Sequence, residues 1–388
     1  MSEQVLYRKY RPRHFDEVVG QDHVAGPLQN AFRIGRVAHA YLFSGPRGVG
    51  KTTMARLIAK SLNCDNFSKI SERNFDEKSS IRQSGGEGGL SIPCNTCGFC
   101  RDFNQGRALA LMEIDAASNR GIDEIRELRE GVRFAPVQGA YKTYIIDETH
   151  QLTKPAFDAL LKTLEEPPEH AVFVLATTEI EKVPSTIVSR TQHYQFRRPR
   201  AEEIAGRLET IAKKEGVSLD QDAGFLIARA AEGGVRDAES ILGQIMVVED
   251  KIITRQDVER VLGLPPREAA LRMFGLIVEK KAPEALALIR DVAESGADLG
   301  HFARLLLRYF RAAFLIKADP SLAPVASGEL LTEERVALER VIPGLSSEFL
   351  SGSAALILDT LPRFDKTPIP QLPLEILAIR LIDGQPAG

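Results

Sequence analysis

The stretch Ser44–Cys64, SGPRGVGKTTMARLIAKSLNC, opens as a phosphate cradle and closes on a cysteine. Gly45 to Thr52 fit G-x-x-x-x-G-K-[ST]. In such a loop, built here from Gly45, Pro46, Arg47, Gly48, Val49 and Gly50, the freedom of Gly48 and Gly50 lets backbone N–H groups turn inward around phosphate oxygens. Lys51 reaches the β and γ phosphates, Thr52 offers a hydroxyl to magnesium, and Thr53 continues into the helix. An apolar run, AYLFS, precedes the loop, and a helical pattern, TTMARLIAKSL, follows it. Strand, loop and helix are the setting this chemistry needs, so the chain is expected to bind a nucleoside triphosphate.

Outward from the cradle, short runs rich in β-branched and aromatic residues recur at LMEIDA, TYIIDE, AVFVLATT and HYQF, with amphipathic segments between them. Strands alternating with helices predict a parallel sheet covered on both faces. In KPAFDALLKTLEEPP, Phe157, Leu160, Leu161 and Leu164 fall at helical spacing, and Pro167-Pro168 stop the helix. TYIIDETH ends an apolar run on Asp147 and Glu148. Asp147 suits the magnesium shell and Glu148 the polarisation of an attacking water, although an apolar run ending in two acids can also be a solvated strand end. His150 reads as a structural histidine. Thr177 and Thr178 in LATTE read the γ-phosphate or cap a helix with equal reason. Arg190 and Arg236 carry charge that could stabilise a transition state, but spacing alone assigns them no role.

After Arg197–Arg200 the strand signals fade. Ile204, Leu208 and Ile211 mark one helical stripe, and Gly233-Gly234 precedes another in VRDAESILGQI. A turn at GLPPRE opens a third block. There Phe302, Leu305, Leu306, Tyr309, Phe310 and Ala313 form a wide stripe, and Leu374, Leu377, Ala378 and Leu381 form the last. Each stripe is buried core or a helix–helix assembly surface. The expected division is 1–198 for the nucleotide domain, 199–263 for a helical lid and 264–388 for an all-helical collar, with DGQPAG starting a linker.

All four cysteines of the 388-residue chain lie in one region: Cys64, then twenty-nine residues, then Cys94, Cys97 and Cys100 as C-x2-C-x2-C. Four thiolates close a tetrahedral structural zinc site with no open position; free thiols or an iron–sulfur cluster are the other readings. The segment 65–93 is polar and rich in Gly and Ser, and reads as a flexible insertion pinned by the metal. The N-terminus has no apolar signal region, and no run of eighteen apolar residues follows, so a cytoplasmic, membrane-free protein is expected. A net charge of −3 excludes a generally basic nucleic-acid coat but permits a local basic surface.

With these motifs in hand, the chain resembles the gamma/tau family of bacterial DNA polymerase III, AAA+ ATPases of the sliding-clamp loader. The resemblance rests on YRKYRPRHFDEVVGQDHV, the cradle, the four cysteines, EIDAASNRGIDEIRELRE, YIIDETHQLTKPAFDALLKTLEEPP, LATTE, IVSRTQ and GGVRDAES. It implies ATP, Mg2+ and Zn2+ as cofactors. It also implies Asp147-Glu148 as the Walker B pair, Thr178 as sensor 1, Arg190 as a finger acting in a neighbouring subunit, and Arg236 as the sensor 2 arginine of the lid. Tyr10, Arg11, Pro12 and Val19 would line the adenine pocket, and Asn119 and Arg120 lie in the region that would face DNA. The implied partners are delta, delta prime and further gamma/tau copies, the sliding clamp and primer–template DNA. Three departures stand out: Thr191 follows Arg190 where the family has cysteine, the insertion after Cys64 is long, and the chain stops after the third domain, gamma-like in length. Two competing functions are a DNA-translocating AAA+ motor of the branch-migration type, against which the cysteine set counts, and a non-hydrolysing scaffold, against which Glu148 counts.

Overall fold

The structure is a computed structural model that describes residues 5–71, 91–249, 251–263, 267–319, 322, 330 and 332–383. They form two compact units, Met1–Arg255 and Gln256–Gly388.

The first unit is built on a five-stranded sheet: β1 (Ala40–Ser44), β2 (Leu111–Asp115), β3 (Lys142–Asp147), β4 (Ala171–Thr177) and β5 (Gln192–Gln195). The order is β2-β3-β4-β1-β5, and every pairing is parallel. Central β1 and β4 are buried along their whole length, which is why AYLFS and AVFVLAT read as unbroken apolar runs instead of alternating ones. Tyr41 and Phe43 enter one core with the helices Asp22–Arg33 and Lys51–Leu62, and Leu42 enters the opposite core with Ile122–Val132 and Lys154–Glu165. Edge strands β2 and β5 carry the polar positions. The predicted helix runs over Lys154–Glu165 and buries Phe157, Leu160 and Leu164.

A smaller helical part of the same unit follows: Ala201–Lys214, Gln221–Ala230 and Val235–Val248, with a short parallel pairing of Ser218–Leu219 and Ile252–Ile253. Ile204, Leu208 and Ile211 are buried in it. The second unit is helical among its described residues. Its core gathers Phe302, Leu305, Leu306, Tyr309, Phe310 and Ala313 with Leu374, Leu377, Ala378 and Leu381, so both late stripes are covered by the unit's own helices. Arg267 and Glu334 form a buried ion pair at 3.1 Å there, and the Tyr309 hydroxyl donates to the same carboxylate at 2.8 Å.

The segment after Cys64 differs in part from the flexible insertion expected. Asp65–Ser71 is helical, and Phe67 and Ile70 are each 2 % exposed. Their i, i+3 spacing turns both inward, and the Phe67 ring meets Phe32 edge-on at 5.2 Å, so apolar burial outweighs the polar composition. Residues 72–90, the Leu264–Pro266 part of the GLPPRE turn and the chain after Asp383 lie outside the described residues. Among the described residues, no helix is long and apolar enough to cross a membrane.

Candidate nucleotide site and metal centre

The carboxyl ends of β1 and β3 face one cavity of about 460 Å³ in the first unit. Ligands in open α/β sheets collect at that edge, because loops there are free to vary while the strands hold them rigidly. Arg11, Pro12, Val19, Arg47, Gly48, Val49, Gly50, Lys51, Thr52, Thr53, Asp147, Glu148 and Arg236 all line it.

The cradle's shape follows from its glycines. Gly45 sits at φ +141°, and a Cβ there would stand 2.4 Å from the Phe196 carbonyl oxygen. Gly48, at φ +77°, passes within van der Waals reach of Gly234, and its carbonyl accepts the Val235 N–H at 3.1 Å. The loop is thereby joined to the start of the helix that carries Arg236. Lys51 is nearly buried at the first position of the cradle helix, and its ammonium donates to the Gly45 and Pro46 carbonyls, both at 2.6 Å. Burial lowers its pKa, against the pull of Glu148 and Asp147.

The two sides of the site are tied by hydrogen bonds. The Thr52 hydroxyl donates to Asp147 Oδ2 at 2.7 Å, and Asp147 Oδ1 accepts the Glu148 N–H at 2.9 Å. Glu148 adopts left-handed backbone, φ 47° and ψ 45°, which a non-glycine residue holds only when its surroundings enforce it. The Thr178 hydroxyl donates to Glu148 Oε2 at 3.1 Å, and His150 Nδ1 lies 3.5 Å from the same oxygen. His150 also faces Thr177 Oγ1 at 3.1 Å and Glu179 Oε1 at 3.1 Å. Thr177, which is buried, accepts the Glu179 N–H, so it caps that turn, and Thr178 is the threonine that reaches Glu148.

Other predicted positions lie elsewhere. Tyr10 is not among the cavity's lining residues; Lys9 and Lys214 stand over its ring. Tyr7, one helical turn earlier, lines the cavity instead, with the Arg236 guanidinium 4.6 Å from its ring centroid. Hydrogen bonding from Arg236 holds the Tyr7 phenol below its usual pKa. Arg190 also lies off the cavity, half exposed, paired with Glu165 at 2.7 Å and donating to the Thr186 carbonyl. Asn119 and Arg120 make local bonds to the Asp115 and Ala117 carbonyls.

The cavity has a further buried pair that the sequence reading did not single out: Arg207 and Glu239, at 3.1 Å, from two helices of the lid. Arg207 also donates to the Tyr10 carbonyl. Burial raises the Glu239 pKa, opposed by Arg207. One sequence signal was available. Glu239 stands between buried Ala238 and Leu242 on an otherwise apolar face, where an unpaired charge would be costly.

The cysteines converge as well. The four sulfurs lie within 4.8 Å of one another, a spacing that suits a single ion bound by four thiolates. Backbone N–H groups of Cys94 and Cys97 donate to the sulfurs of Cys64 and Cys94, each at 3.3 Å, and Cys100 N–H to Cys97 at 3.5 Å. Such bonds favour the thiolate form. A hydrogen bond from Cys100 lowers the Cys64 pKa, and the same interaction raises that of Cys100. The donor set therefore fits a closed metal centre and leaves no protein-free position for chemistry.

A parallel sheet with a glycine cradle after β1, an acidic pair after the strand two places over, and a helical lid that delivers an arginine to the same cavity define an AAA+ ATPase. Comparison with known proteins narrows this. Residues 20–200 match the family described as DNA polymerase III, delta subunit; 203–248 match the ATPase lid domain of the DNA polymerase III clamp loader subunit; and 253–386 match domain III of DNA polymerase III subunits gamma and tau. The chain is 35% identical over 322 residues to the DNA polymerase III subunit gamma of Buchnera aphidicola subsp. Schizaphis graminum, covering 83% of each protein. It is 40% identical to the tau subunit of Bacillus subtilis, over 88% of this chain and 57% of that one, and 43% identical to the tau subunit of Escherichia coli, over 77% and 43%. The chain belongs to the DNA polymerase III gamma/tau family. Against those tau subunits it spans about half the relative's length. Among solved structures, the Thermotoga maritima RuvB Holliday junction branch migration motor overlaps 69% of this chain and 79% of its own, at 19% identity and a TM-score of 0.46.

Proposed function

We propose that this chain is an ATPase subunit of the bacterial replicative clamp loader, using ATP binding and hydrolysis to open the sliding clamp and load it on primed DNA. The observation that carries the reading is the convergence of Lys51, Glu148 and Arg236 on one cavity, with Thr178 bonded to Glu148. In this account the cradle N–H groups and Lys51 bind the phosphates, exchanging the lysine's bonds to the Gly45 and Pro46 carbonyls for bonds to phosphate oxygens. Glu148 takes the proton of the attacking water, and the Thr178 hydroxyl holds its carboxylate in place. Arg236, from the lid, senses the triphosphate, so that lid position and nucleotide state are coupled.

Thr52 and Asp147, already in contact through hydroxyl and carboxylate, are the residues that would hold Mg2+. Bound there, the ion would supply charge neutralisation of the phosphates. Arg11, Pro12 and Val19 would flank the base. Cys64, Cys94, Cys97 and Cys100 would hold Zn2+ as a structural ion. The division at 1–198, 199–263 and 264–388 would separate catalysis, lid and assembly. Partners would be delta, delta prime, other gamma/tau copies, the sliding clamp and primer–template DNA, in the cytoplasm, with Asn119 and Arg120 as candidate phosphate contacts.

The test is clamp loading by the reconstituted complex on circular primed DNA. ATP-dependent retention of clamp on the circle, lost when the complex carries Lys51→Ala, is the expected result. Retention that ignores ATP or Lys51 would refute the reading.

A further inference from the structure

The nucleotide cradle and the cysteine cluster share a helix: Lys51–Leu62 begins at the phosphate lysine and ends two residues before Cys64. On that helix Lys60 is 2 % exposed, which for a lysine demands partners. Its ammonium donates to the Arg13 carbonyl at 2.9 Å, Asn95 Oδ1 at 2.6 Å and Asn104 Oδ1 at 3.1 Å. Asn95 lies between Cys94 and Cys97 in left-handed backbone, φ 57°. Its amide nitrogen donates to the same Arg13 carbonyl at 3.2 Å and faces His14 Nε2 at 2.7 Å. The cysteine loop therefore grips the N-terminal segment at Arg13-His14. On either side of that grip, Arg11, Pro12, Glu17, Val18 and Val19 line the nucleotide cavity. Phe15 and Val18 anchor the later part in the core, whereas Arg11 and Pro12 are only half buried and depend on polar ties.

We propose that the metal module positions the N-terminal wall of the nucleotide cavity, with Asn95 and Lys60 as positioning residues, so that a folded cysteine loop sets the affinity for the nucleoside part of ATP. The inference rests on the reading of the cavity as an ATP site and adds to it a task for the metal module. Asn95 bonds Lys60 and the wall at Arg13-His14 and not the phosphate loop, so the module should act on base and ribose and leave phosphate binding alone.

Asn95→Gly removes the tie while suiting left-handed backbone, and Asn95→Asp keeps the acceptor for Lys60 while losing the donor to Arg13. Both variants of the full chain would be titrated calorimetrically with ATP and with inorganic tripolyphosphate, alongside metal content by elemental analysis. The expected result is unchanged metal content, unchanged tripolyphosphate affinity and ATP binding weaker by about five- to tenfold, the scale of one lost hydrogen bond. ATP affinity equal to the parent's in both variants would overturn the inference and leave the ATP site standing. Equal weakening of tripolyphosphate would trace the effect to the whole fold and overturn it too. A parent chain that binds no ATP would remove the site reading itself, and this inference with it. If Asn95→Gly fails to fold, Asn95→Asp decides.

Discussion

Arg190→Ala is expected to lower ATP turnover of the assembled complex by roughly 10³-fold or more, the effect of losing an arginine finger, while each subunit still binds ATP. In the proposed reading this is an effect between subunits. Arg190 lies outside the cavity that holds Lys51 and Glu148, on a turn between the helix Ser185–Val188 and β5. Its pair with Glu165 is half exposed on both sides, and exposed pairs are worth little, at most about 1 kcal/mol. Releasing the guanidinium to a neighbour's phosphates therefore costs little. Mixing supplies the check: a Lys51→Ala chain, unable to use its own site, should restore turnover when it donates its intact Arg190 to an Arg190→Ala neighbour. Turnover of Arg190→Ala equal to the parent's would remove the finger from the account.

Glu148→Gln is expected to cut turnover by about 10² to 10⁴-fold, the contribution of a general base, with ATP affinity retained. The amide keeps the size and the acceptor that the Thr178 hydroxyl reaches at 3.1 Å, so the left-handed backbone at this position stays supported. Only the ability to take a proton is lost. Single-turnover measurement after saturation with ATP separates the two effects: full occupancy with slow chemistry is the predicted signature. Fast chemistry in Glu148→Gln would assign the base to another group and leave Glu148 as a structural residue.

The parts of this site legible in sequence are those encoded by local pattern. Gly45 to Thr52 need a loop between strand and helix, and AYLFS and TTMARLIAKSL supply both within twenty-three residues. Asp147 and Glu148 stand out because an apolar run stops on them. The parallel sheet follows from unbroken apolar strands such as AVFVLAT, which only a sheet covered on both faces permits. What stayed hidden depends on long-range approach. Tyr7 replaces Tyr10 at the cavity because a lid arginine, Arg236, comes to rest over its ring, and nothing near Tyr7 in the chain announces that. The Arg207–Glu239 pair joins residues thirty-two positions apart. The grip of Asn95 on Arg13 spans eighty-two. Composition misled at Asp65–Ser71, where two apolar side chains at the right spacing outweigh a polar average.

On the proposal that the cysteine module positions the cavity wall, the long reach of those contacts would also account for a cysteine cluster following a phosphate cradle so closely. The helix Lys51–Leu62 spans twelve residues, so a loop closed at its far end by an ion on the four cysteines would hold its position relative to Lys51. Asn95 and Lys60 would pass that constraint to the N-terminal segment, which has little apolar anchorage of its own before Phe15.

The central claim, ATP hydrolysis coupled to clamp loading, is tested most directly by steady-state ATP turnover of the reconstituted complex with clamp and primed DNA added singly and together. The account predicts that strong stimulation requires both, and that Glu148→Gln abolishes it. Turnover driven equally by any duplex DNA, indifferent to the clamp, would contradict the account and favour a DNA-translocating motor.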